Sequence, residues 1–382
     1  MYPHLDVEHE KLRERVRAWA EEKAAAAAVA DDGVEAVAKM AKAIVPLLGG
    51  AGWLKHLAPR RFGGAGETIS LRELCLLREE LARVAPLFDT VLSVQALGMY
   101  PIALAASDEQ KQNFLPPLAS GEKIAAFALS EPNAGSDVAS IQTRATKRNG
   151  DYRLTGIKSF ISNAGIADIY IVFASTEPAA KGKGLSAFIV DARSPGLDVR
   201  EKTRLIAPHP IGVLAFEDCV VPSAGLIGRE GDGMKIALAT LDALRPTVGG
   251  AAVGLARRAL EEALDHSRTR RQFGSALADF QGIQFKVAEM ATELEAASLL
   301  VYQAAWMHDR GVESKCSAAM AKLFATEAAQ RIVDQALQIH GGMGVVTTSV
   351  VAQLYNAVRA LRIYEGTSEI QKLVIARELL KK

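Results

Sequence analysis

Residues 169–191 read IYIVFASTEPAAKGKGLSAFIVD, two apolar runs joined by a connector that contains Pro and Gly. Short runs rich in Ile, Val and Phe, bounded by turn-forming residues, predict β-strands. Comparable runs recur from about residue 124 to residue 222, among them YRLTG and VLAFEDCVVP. The middle of the chain is therefore predicted to be a β domain.

A helical period replaces this pattern on both sides. LRELCLLREELARV, before the β domain, places apolar residues three and four apart, and the short alanine run at 24–28 also predicts helix. Long helical patterns return from about residue 232. Helices and strands that are segregated along the chain favour an α+β architecture over a doubly wound sheet. We expect a helical domain at 1–122, a β domain at 123–230 and a helical domain at 231–382.

Composition narrows the function classes. The chain has 382 residues, 49% of them hydrophobic, and 45 Lys and Arg against 44 Asp and Glu. This balance does not suggest nucleic acid as a partner. The absence of a run of about 18 apolar residues without charges argues against a membrane span, and the charged N-terminal stretch has no apolar signal core. Three widely spaced cysteines argue against disulfides and a metal cluster, so we expect a reducing cytoplasm.

Nucleotide-binding signatures are weak. The sequence contains neither a complete GxGxxG nor a GxxxxGK[ST] motif, so it predicts neither a dinucleotide-binding Rossmann turn nor a P-loop. Its Gly-rich stretches at 63–66, 229–234 and 340–344 are each more typical of ordinary loops.

RIYEGTSEIQ, residues 362–371, places a glutamate between two helical stripes. The stripes are formed by apolar residues at helical spacing: Leu354, Val358 and Leu361 before it, then Ile370, Leu373 and Val374 after it. Ser368 with Gln371 predicts a capping box for the second helix, and Gly366 suits the turn. Glu365 is thus expected on a short loop, where a glutamate is ordinarily a solvated surface residue.

Six motifs in order change that interpretation: FALSEPNAGSD (127–137), GIKSFISNA (156–164), FEDCVVP (216–222), RTRRQFG (268–274), QIHGGMG (338–344) and RIYEGTSEIQ. Together they resemble the acyl-CoA dehydrogenase family, from roughly residue 5 to the C-terminus. The resemblance implies a barrel-like β domain and a C-terminal four-helix bundle. It also implies FAD as cofactor, an acyl-CoA substrate, a homotetramer and an electron-transfer flavoprotein as oxidant.

The resemblance gives Glu365 the role of the base that removes the α-proton of the thioester, with Tyr364 and Gly366 beside the substrate. This is chemically reasonable, because a thioester α-carbon is a weak acid that needs a base within hydrogen-bond reach. Donors must also stabilise the developing enolate oxygen. By resemblance these are the Glu365 backbone N–H and a ribityl hydroxyl of the flavin, and hydride passes from the β-carbon to flavin N5.

Further cofactor contacts follow from the resemblance. Those beside the flavin or its phosphates are Phe127, Leu129, Ser130, Gly135, Ser136, Phe160 and Ser162, of which Ser136 also faces substrate. Relatives commonly carry Trp where this chain has Phe160, which implies looser packing, and the Ser162 hydroxyl is expected to donate toward flavin N5. Contacts with the FAD of a neighbouring subunit or with the other parts of the cofactor are expected from Arg270, Phe273, Gln281, Gln338, Gly342, Thr367 and Glu369. For Arg270 the alternative is a basic residue that complements a helix end, and for His340 packing or capping is favoured over chemistry.

Substrate contacts are expected from Asp242 and Arg245, which match positions that contact CoA. An Asp–Arg pair three residues apart on a helix is also a common surface ion pair. Asp89, with Thr90 beside it, aligns with the wall of the acyl pocket. An acid there argues against a glutaryl substrate by repulsion. An Asp in this region resembles the enzymes that act on cyclohexane- or cyclohexene-carboxyl-CoA, and the resemblance implies a second base.

Several alternatives remain open at this stage. Asp89 can instead cap a helix and turn away from the acyl chain. The substrate can be a short or medium, straight- or branched-chain acyl-CoA, and the oxidant can be O₂. A flavin-binding scaffold without catalysis is a further alternative, although a retained Glu365 argues against it.

Overall fold

The computed structural model describes residues 2–24 and 33–381. Of the alanine run at 24–28, all but Ala24 lies outside the described residues. The chain divides into two compact units. The first, here the helical unit, comprises Met1–Ala25, Ser70–Asp89 and Asp242–Lys382, and the second, the β unit, comprises Ala26–Ile69 and Thr90–Leu241. This division into two units does not test the three domain ranges expected from the sequence, which stay a prediction.

The described helices follow the helical periodicity of the sequence. They are α1 Val7–Lys23, α2 Val34–Gly50, α3 Leu71–Val84, α4 Pro86–Ala105, α5 Asp108–Ala119, α6 Gly233–Thr269, α7 Gln281–Asp309, α8 Lys315–His340, α9 Val350–Leu361 and α10 Ser368–Leu379. Within the helical unit α3 packs on α1 and α7, while α8 packs on α7, α9 and α10. The candidate catalytic loop lies between α9 and α10, where it contacts residues of α8.

Eight of the ten described strands lie in the predicted middle region, and a pair of two-residue strands lies between α6 and α7. The strands are β1 Ala125–Ala128, β2 Arg144–Arg148, β3 Asp151–Ser162, β4 Ile169–Ser175, β5 Leu185–Asp191, β6 Leu197–Lys202, β7 Ile211–Val221, β8 Leu226–Ile227, β9 Arg271–Gln272 and β10 Ser275–Ala276. The first eight form one sheet in the order β6-β7-β3-β2-β4-β5-β8, and β1 pairs in parallel with β4. The segregation of helices and strands predicted from the sequence is confirmed.

The two apolar runs of residues 169–191 form neighbouring strands of this sheet. β4 and β5 pair antiparallel from Ile169 opposite Asp191 to Ser175 opposite Leu185. Every residue of β4 is buried, so this strand lies in the core of the β unit. On another part of the sheet, β3 and β7 shift register between Lys158 and Ile161, which distorts β3 at its C-terminal end.

Consecutive charged residues of α3 are buried: Arg78, Glu79 and Glu80. They are compatible with burial because each has a partner within the helical unit. Arg257 Nε donates to Glu79 at 2.9 Å, and Arg17 Nε donates to Glu80 at 2.8 Å. These pairs tie α3 to α6 and α1, and they fix the helix that carries Arg78 into the site described below.

One described helix, α4, is long and apolar enough to cross a membrane by length and composition alone. Its apolar window is 72% buried inside the protein, which is also the pattern of a core helix.

Candidate active site

The loop between α9 and α10 has a strained backbone. Glu365 has φ +53° and Gly366 has φ +92°, both in the left-handed region. For a non-Gly residue this conformation costs on the order of 1–3 kcal/mol and persists where surrounding groups fix it. Lys322 Nζ donates to the carbonyl of Gly366 at 2.8 Å. The Gln371 amide donates to the carbonyls of Glu365 and Gly366 at 3.3 and 2.9 Å, so two side chains hold the turn.

Glycine at position 366 also leaves room for the side chain of Gln371. A Cβ at Gly366 would lie 2.6 Å from Nε2 of Gln371, inside van der Waals contact. A side chain at residue 366 would therefore displace the end of the buried Gln371 side chain, which bonds to the loop carbonyls.

The predicted capping box is wrong by one residue. The N-cap of α10 is Thr367, whose hydroxyl accepts from the backbone N–H of Ile370 at 3.3 Å. Ser368 lies inside the helix and donates to Glu327 at 2.5 Å. Gln371 turns back to the loop carbonyls instead of reaching the N-cap, because those carbonyls need donors in this strained turn.

The two apolar stripes beside the loop have different outcomes. The stripe of α9 is confirmed, since Leu354, Val358 and Leu361 are buried. The helix predicted from Ile370, Leu373 and Val374 is confirmed as α10, but Leu373 is 49% exposed and the buried residues of α10 are Ser368 and Gln371. Their polar contacts, rather than an apolar face, anchor the start of α10.

Glu365 carries an unsatisfied carboxylate oxygen. The residue is partly exposed, but its Oε2 is inaccessible and has no hydrogen-bond partner among the described residues. Burial, which disfavours the charged form, raises the pKa of Glu365 above its ordinary value. The Asp89 carboxylate acts in the same direction, while Arg78, Lys322 and Arg245 oppose it. A carboxylate with an open lone pair and a raised pKa is suited to accept a proton.

Asp89 does not act as a helix cap. It lies within the first turn of α4, is 5% exposed, and both of its oxygens accept from one guanidinium. Arg78 donates to it through Nε at 2.6 Å and Nη2 at 3.0 Å, and its Nη1 donates to the Thr247 hydroxyl at 3.0 Å. Asp89 is therefore half of a buried bidentate ion pair. Thr90, the next residue of α4, is partly buried.

The Asp242–Arg245 pair is not a surface pair. The guanidinium of Arg245 contacts the carboxylate of Asp242 one turn earlier in α6, but Arg245 is only 4% exposed. Its Nε has no hydrogen-bond partner among the described residues. A second cation, Lys315, lies farther from Asp242, with its Nζ 3.9 Å from Oδ2 of the carboxylate. A buried guanidinium with an unused donor is compatible with a polar ligand nearby.

Two backbone carbonyls that follow β1 are fixed to β3. The Leu129 carbonyl accepts from Lys158 Nζ at 2.9 Å, and the Ser130 carbonyl accepts from the backbone N–H of Ser159 at 3.0 Å. These bonds hold the segment expected beside the flavin in a single position on the β unit.

Other predicted flavin contacts on the β unit differ in exposure. The ring of Phe127 packs at 4.9 Å from that of Phe173, so its side chain belongs partly to the core. Gly135 and Ser136 are exposed, and a Cβ at Gly135 would meet nothing within 4 Å. A small-residue turn with open space beside it is compatible with close approach of a phosphate.

Phe160 and Ser162 lie at the distorted end of β3. Phe160 has φ +54° and is 67% exposed, although aromatic rings are ordinarily buried. Ser162 Oγ lies 2.6 Å from His209 Nε2, and burial lowers the pKa of His209 to about 4, so this imidazole is neutral near pH 7. An exposed ring beside a fixed hydroxyl fits the planar isoalloxazine of FAD.

The remaining predicted cofactor residues lie on the helical unit. Arg270, Phe273, Gln281, Gln338, Gly342 and Glu369 are exposed, and Thr367 is partly buried as the N-cap of α10. Phe273 is 96% exposed with φ +50°, in the turn between β9 and β10. His340 has a packing role, since its ring stacks on that of His266 with the ring centroids 4.3 Å apart.

Sequence reasoning missed several residues of these sites: Arg78, Lys322, Gln371 as a clasp, and His209. Arg78 and Lys322 had one detectable signal in the sequence: each lies on a helix face whose other residues are apolar or small. Leu74, Cys75 and Leu81, for example, lie one turn from Arg78. His209 had no such signal, because its partner Ser162 is far away in the sequence.

Comparison with known proteins supports the resemblance over the whole chain. Residues 6–122 match the model for the acyl-CoA dehydrogenase N-terminal domain, residues 126–219 the middle domain and residues 231–380 the C-terminal domain. An acyl-CoA dehydrogenase of Bacillus subtilis (strain 168) is 40% identical over 380 residues, which cover 99% of each chain.

Solved structures agree. Butyryl-CoA dehydrogenase from Megasphaera elsdenii superposes with a TM-score of 0.90 at 35% identity over 99% of both chains. A chain from a structural study of the electron-transferring flavoprotein of Acidaminococcus fermentans superposes with a TM-score of 0.91 at 34% identity over all of both chains.

The chain therefore belongs to the acyl-CoA dehydrogenase family, and its fold is the three-domain fold of that family. It is an FAD-dependent oxidoreductase that dehydrogenates an acyl-CoA thioester. The resemblance drawn from the six motifs is confirmed.

Proposed function

We propose that Glu365 is the base that removes the α-proton of the acyl thioester. The observation that carries this assignment is its buried Oε2, which has no hydrogen-bond partner among the described residues and is held in a strained turn by Lys322 and Gln371. The Cα–H bond breaks, its proton goes to Glu365, and its electron pair forms the Cα–Cβ double bond. FAD, when bound, supplies the acceptor for the hydride that leaves Cβ.

The backbone N–H of Glu365 is assigned to the developing enolate oxygen. Tyr364 and Gly366 flank this N–H and adjoin the thioester, and Asp242 with Arg245 contacts the CoA moiety. Support for the last role comes from the buried Arg245, whose Nε has no partner among the described residues.

FAD is assigned the contacts that the family resemblance implies. On the β unit these are Phe127, Leu129, Ser130, Gly135, Ser136, Phe160 and Ser162, and on the helical unit Arg270, Phe273, Gln281, Gln338, Gly342, Thr367 and Glu369. The exposed rings of Phe160 and Phe273, each on a left-handed backbone, support this assignment, because exposed strained aromatics are typical of ligand contacts. Ser162 donates to flavin N5 only if His209 Nε2 carries a hydrogen and donates to Ser162, since the hydroxyl has one proton.

For the acyl group, we propose a short or medium, straight- or branched-chain substrate in preference to an alicyclic one. Both Asp89 oxygens accept from Arg78, so this carboxylate is already engaged by a guanidinium and is poorly placed to reach a ring carbon. The similarity to butyryl-CoA dehydrogenase supports a short chain. An alicyclic substrate with Asp89 as second base stays the competing hypothesis.

An electron-transfer flavoprotein is proposed as the oxidant, supported by the similarity to a chain from a study of such a flavoprotein. A cytoplasmic homotetramer without a membrane or nucleic-acid partner is proposed with it.

The test is anaerobic bleaching of the oxidised-flavin absorption band by straight, branched and alicyclic acyl-CoAs. Glu365→Gln should retain bound FAD and slow bleaching by about 10²–10⁴-fold, the range typical of a lost general base. Bleaching at the wild-type rate in Glu365→Gln would remove the assignment. Failure of every acyl-CoA to bleach the wild-type flavin would favour a non-catalytic scaffold, and rapid reoxidation by air would favour an oxidase over the electron-transfer flavoprotein.

A further inference from the structure

Lys322 is a fully buried lysine that the proposed reaction does not use. It lies on α8 with no exposed surface, and its buried neighbours on that helix include Ala318, Ala319, Ala325 and Thr326. Its Nζ donates to the carbonyl of Gly366, the residue after the candidate base. Burial lowers the pKa of Lys322 to about 8, although the charge of Glu365 acts to raise it. A buried ammonium is costly unless it is paired or used.

The other cations that face Glu365 already have carboxylate partners. Arg78, from α3, is bidentate with Asp89 of α4, and Arg245 of α6 contacts Asp242 of the same helix. At Glu365 the Asp89 charge therefore opposes that of Arg78, and both arginines are already bonded to a carboxylate. Among these cations of the described residues, Lys322 of α8 is the one without an ion pair.

The other carboxylates near Lys322 are either hydrogen-bonded or exposed to solvent. Glu327 on α8 accepts from Arg362 at 2.8 Å and from Ser368 at 2.5 Å. Glu369 on α10 faces Lys322 as well but is exposed to solvent. Among the described carboxylates that face Lys322, Glu365 is thus the one with a buried oxygen that lacks a hydrogen-bond partner.

We propose that Lys322 is a positioning residue for Glu365: its bond to the Gly366 carbonyl holds the left-handed turn, and its positive charge keeps the carboxylate ionised until the carboxylate accepts the substrate proton. The proposal rests on the assignment of Glu365 as the base. It gives Lys322 an electrostatic role as well as a geometric one, and both act through the loop that carries Glu365.

Gln371 provides the matched control, because it clasps the same turn without a charge. Gln371→Met removes its bonds to the Glu365 and Gly366 carbonyls, while Lys322→Met removes one bond and the charge together. Both variants are to be prepared as FAD-loaded protein, and anaerobic flavin reduction by butyryl-CoA is to be followed across pH.

Loss of the cation should raise the pH at which Glu365 ionises. We expect Lys322→Met to move the midpoint of the rate profile upward by about one pH unit or more, in line with the effect of one close opposite charge. Reduction should then slow by about tenfold below that midpoint and recover in alkaline solution. Gln371→Met should slow reduction equally at every pH. If Lys322→Met instead slows flavin reduction equally at every pH, Lys322 has a structural role only and the proposed electrostatic effect on Glu365 is wrong.

A reciprocal measurement works without a Lys322 variant and without substrate. NMR titration of the lysine Nζ in ¹⁵N-labelled, FAD-loaded protein should give a lower midpoint for Lys322 in Glu365→Gln than in the wild type, because the anion that supports the ammonium has gone. An unchanged midpoint would overturn the proposal even if Lys322→Met fails to fold. The titration also separates the role of Lys322 from the assignment of Glu365 as the base. The charges of Lys322 and Glu365 can interact even if no acyl-CoA bleaches the flavin, and bleaching can depend on Glu365 even if the two charges do not interact.

Discussion

Two buried lysines face glutamates in the described part of the chain, and the two pairs differ in how many hydrogen bonds the carboxylate accepts. Lys158 in the β unit and Lys322 in the helical unit are both fully buried, and burial lowers the pKa of each to about 8. Lys158 donates to Glu131 at 2.8 Å. The carboxylate of Glu365 has no such bond to Oε2 among the described residues.

Hydrogen bonds account for the opposite behaviour of the carboxylates. Glu131 accepts from Lys158 and from the backbone N–H groups of Gln142 and Thr143 at 2.6 and 3.0 Å. Burial acts to raise the pKa of Glu131, but these donors outweigh it and the pKa is lowered. For Glu365 the cations do not outweigh burial, and the pKa is raised. A closed pair stabilises the fold, whereas an open pair keeps a proton acceptor available for chemistry.

The largest effect on stability is expected when the closed pair is broken. Lys158→Met leaves the Glu131 charge buried without its cation and should lower the free energy of unfolding by about 3–5 kcal/mol. Urea unfolding of the FAD-loaded protein at fixed FAD concentration measures this. The double variant Lys158→Met/Glu131→Gln is the control and should recover part of the loss, because no charge is left unpaired. A loss below about 1 kcal/mol in the single variant would contradict the closed-pair interpretation.

The two glutamates should respond to amide replacement with opposite signs. Glu131→Gln presents an NH₂ group to backbone donors and should destabilise the protein by about 1–3 kcal/mol. Glu365→Gln removes a buried carboxylate oxygen that has no hydrogen-bond partner among the described residues, and this gain should at least offset the lost charge beside Lys322, so stability should be unchanged or higher while flavin reduction is lost. Urea unfolding of both variants at neutral pH makes the comparison. Equal destabilisation of the two would show that Glu365 is held as tightly as Glu131.

The pairs also predict how stability depends on pH. The unfolded chain keeps a lysine proton up to about pH 10.5, but the folded protein releases it from Lys158 and Lys322 near pH 8. The unfolded state therefore binds more protons between these values, and stability should rise with pH in that window. Glu365 acts in the opposite sense: its folded pKa is raised, so stability falls as pH rises from its ordinary value of 4.5 through the higher folded value.

Unfolding midpoints measured across pH check these signs. Lys158→Met should weaken the alkaline rise, and Glu365→Gln should remove its share of the acid-side fall. An alkaline rise of full size in Lys158→Met would show that this lysine is protonated in the folded protein at the same pH as in the unfolded chain.

A smaller effect is expected from Asp89, and its sign distinguishes the competing roles of this residue. The Asp89 charge raises the pKa of Glu365, so Asp89→Asn should move the midpoint of flavin reduction to lower pH, by less than about one unit. That direction is opposite to the one expected for Lys322→Met. Loss of bleaching by alicyclic acyl-CoAs at all pH values in Asp89→Asn would instead identify Asp89 as a second catalytic acid or base.

Much of the architecture followed from local patterns. The strand runs of 169–191 are β4 and β5, and the six motifs identified the family. The start of the helix after the catalytic loop could not be predicted from local patterns. Ser368 and Gln371 match the sequence of a capping box, but Gln371 donates to carbonyls that precede the helix. A local rule fails there because the strained turn competes for the same side chain.

The sequence by itself determined the order of helices and strands, the family, and a glutamate on a loop between two helices. These depend on periodicity and on motifs, which are properties of neighbouring residues. Only the tertiary structure decided which charges are paired: Arg78 reaches Thr247 across 169 positions, and Lys322 reaches Gly366 across 44. Whether a buried carboxylate is satisfied depends on donors brought from distant segments, so the difference between Glu131 and Glu365 arises only once the chain is folded.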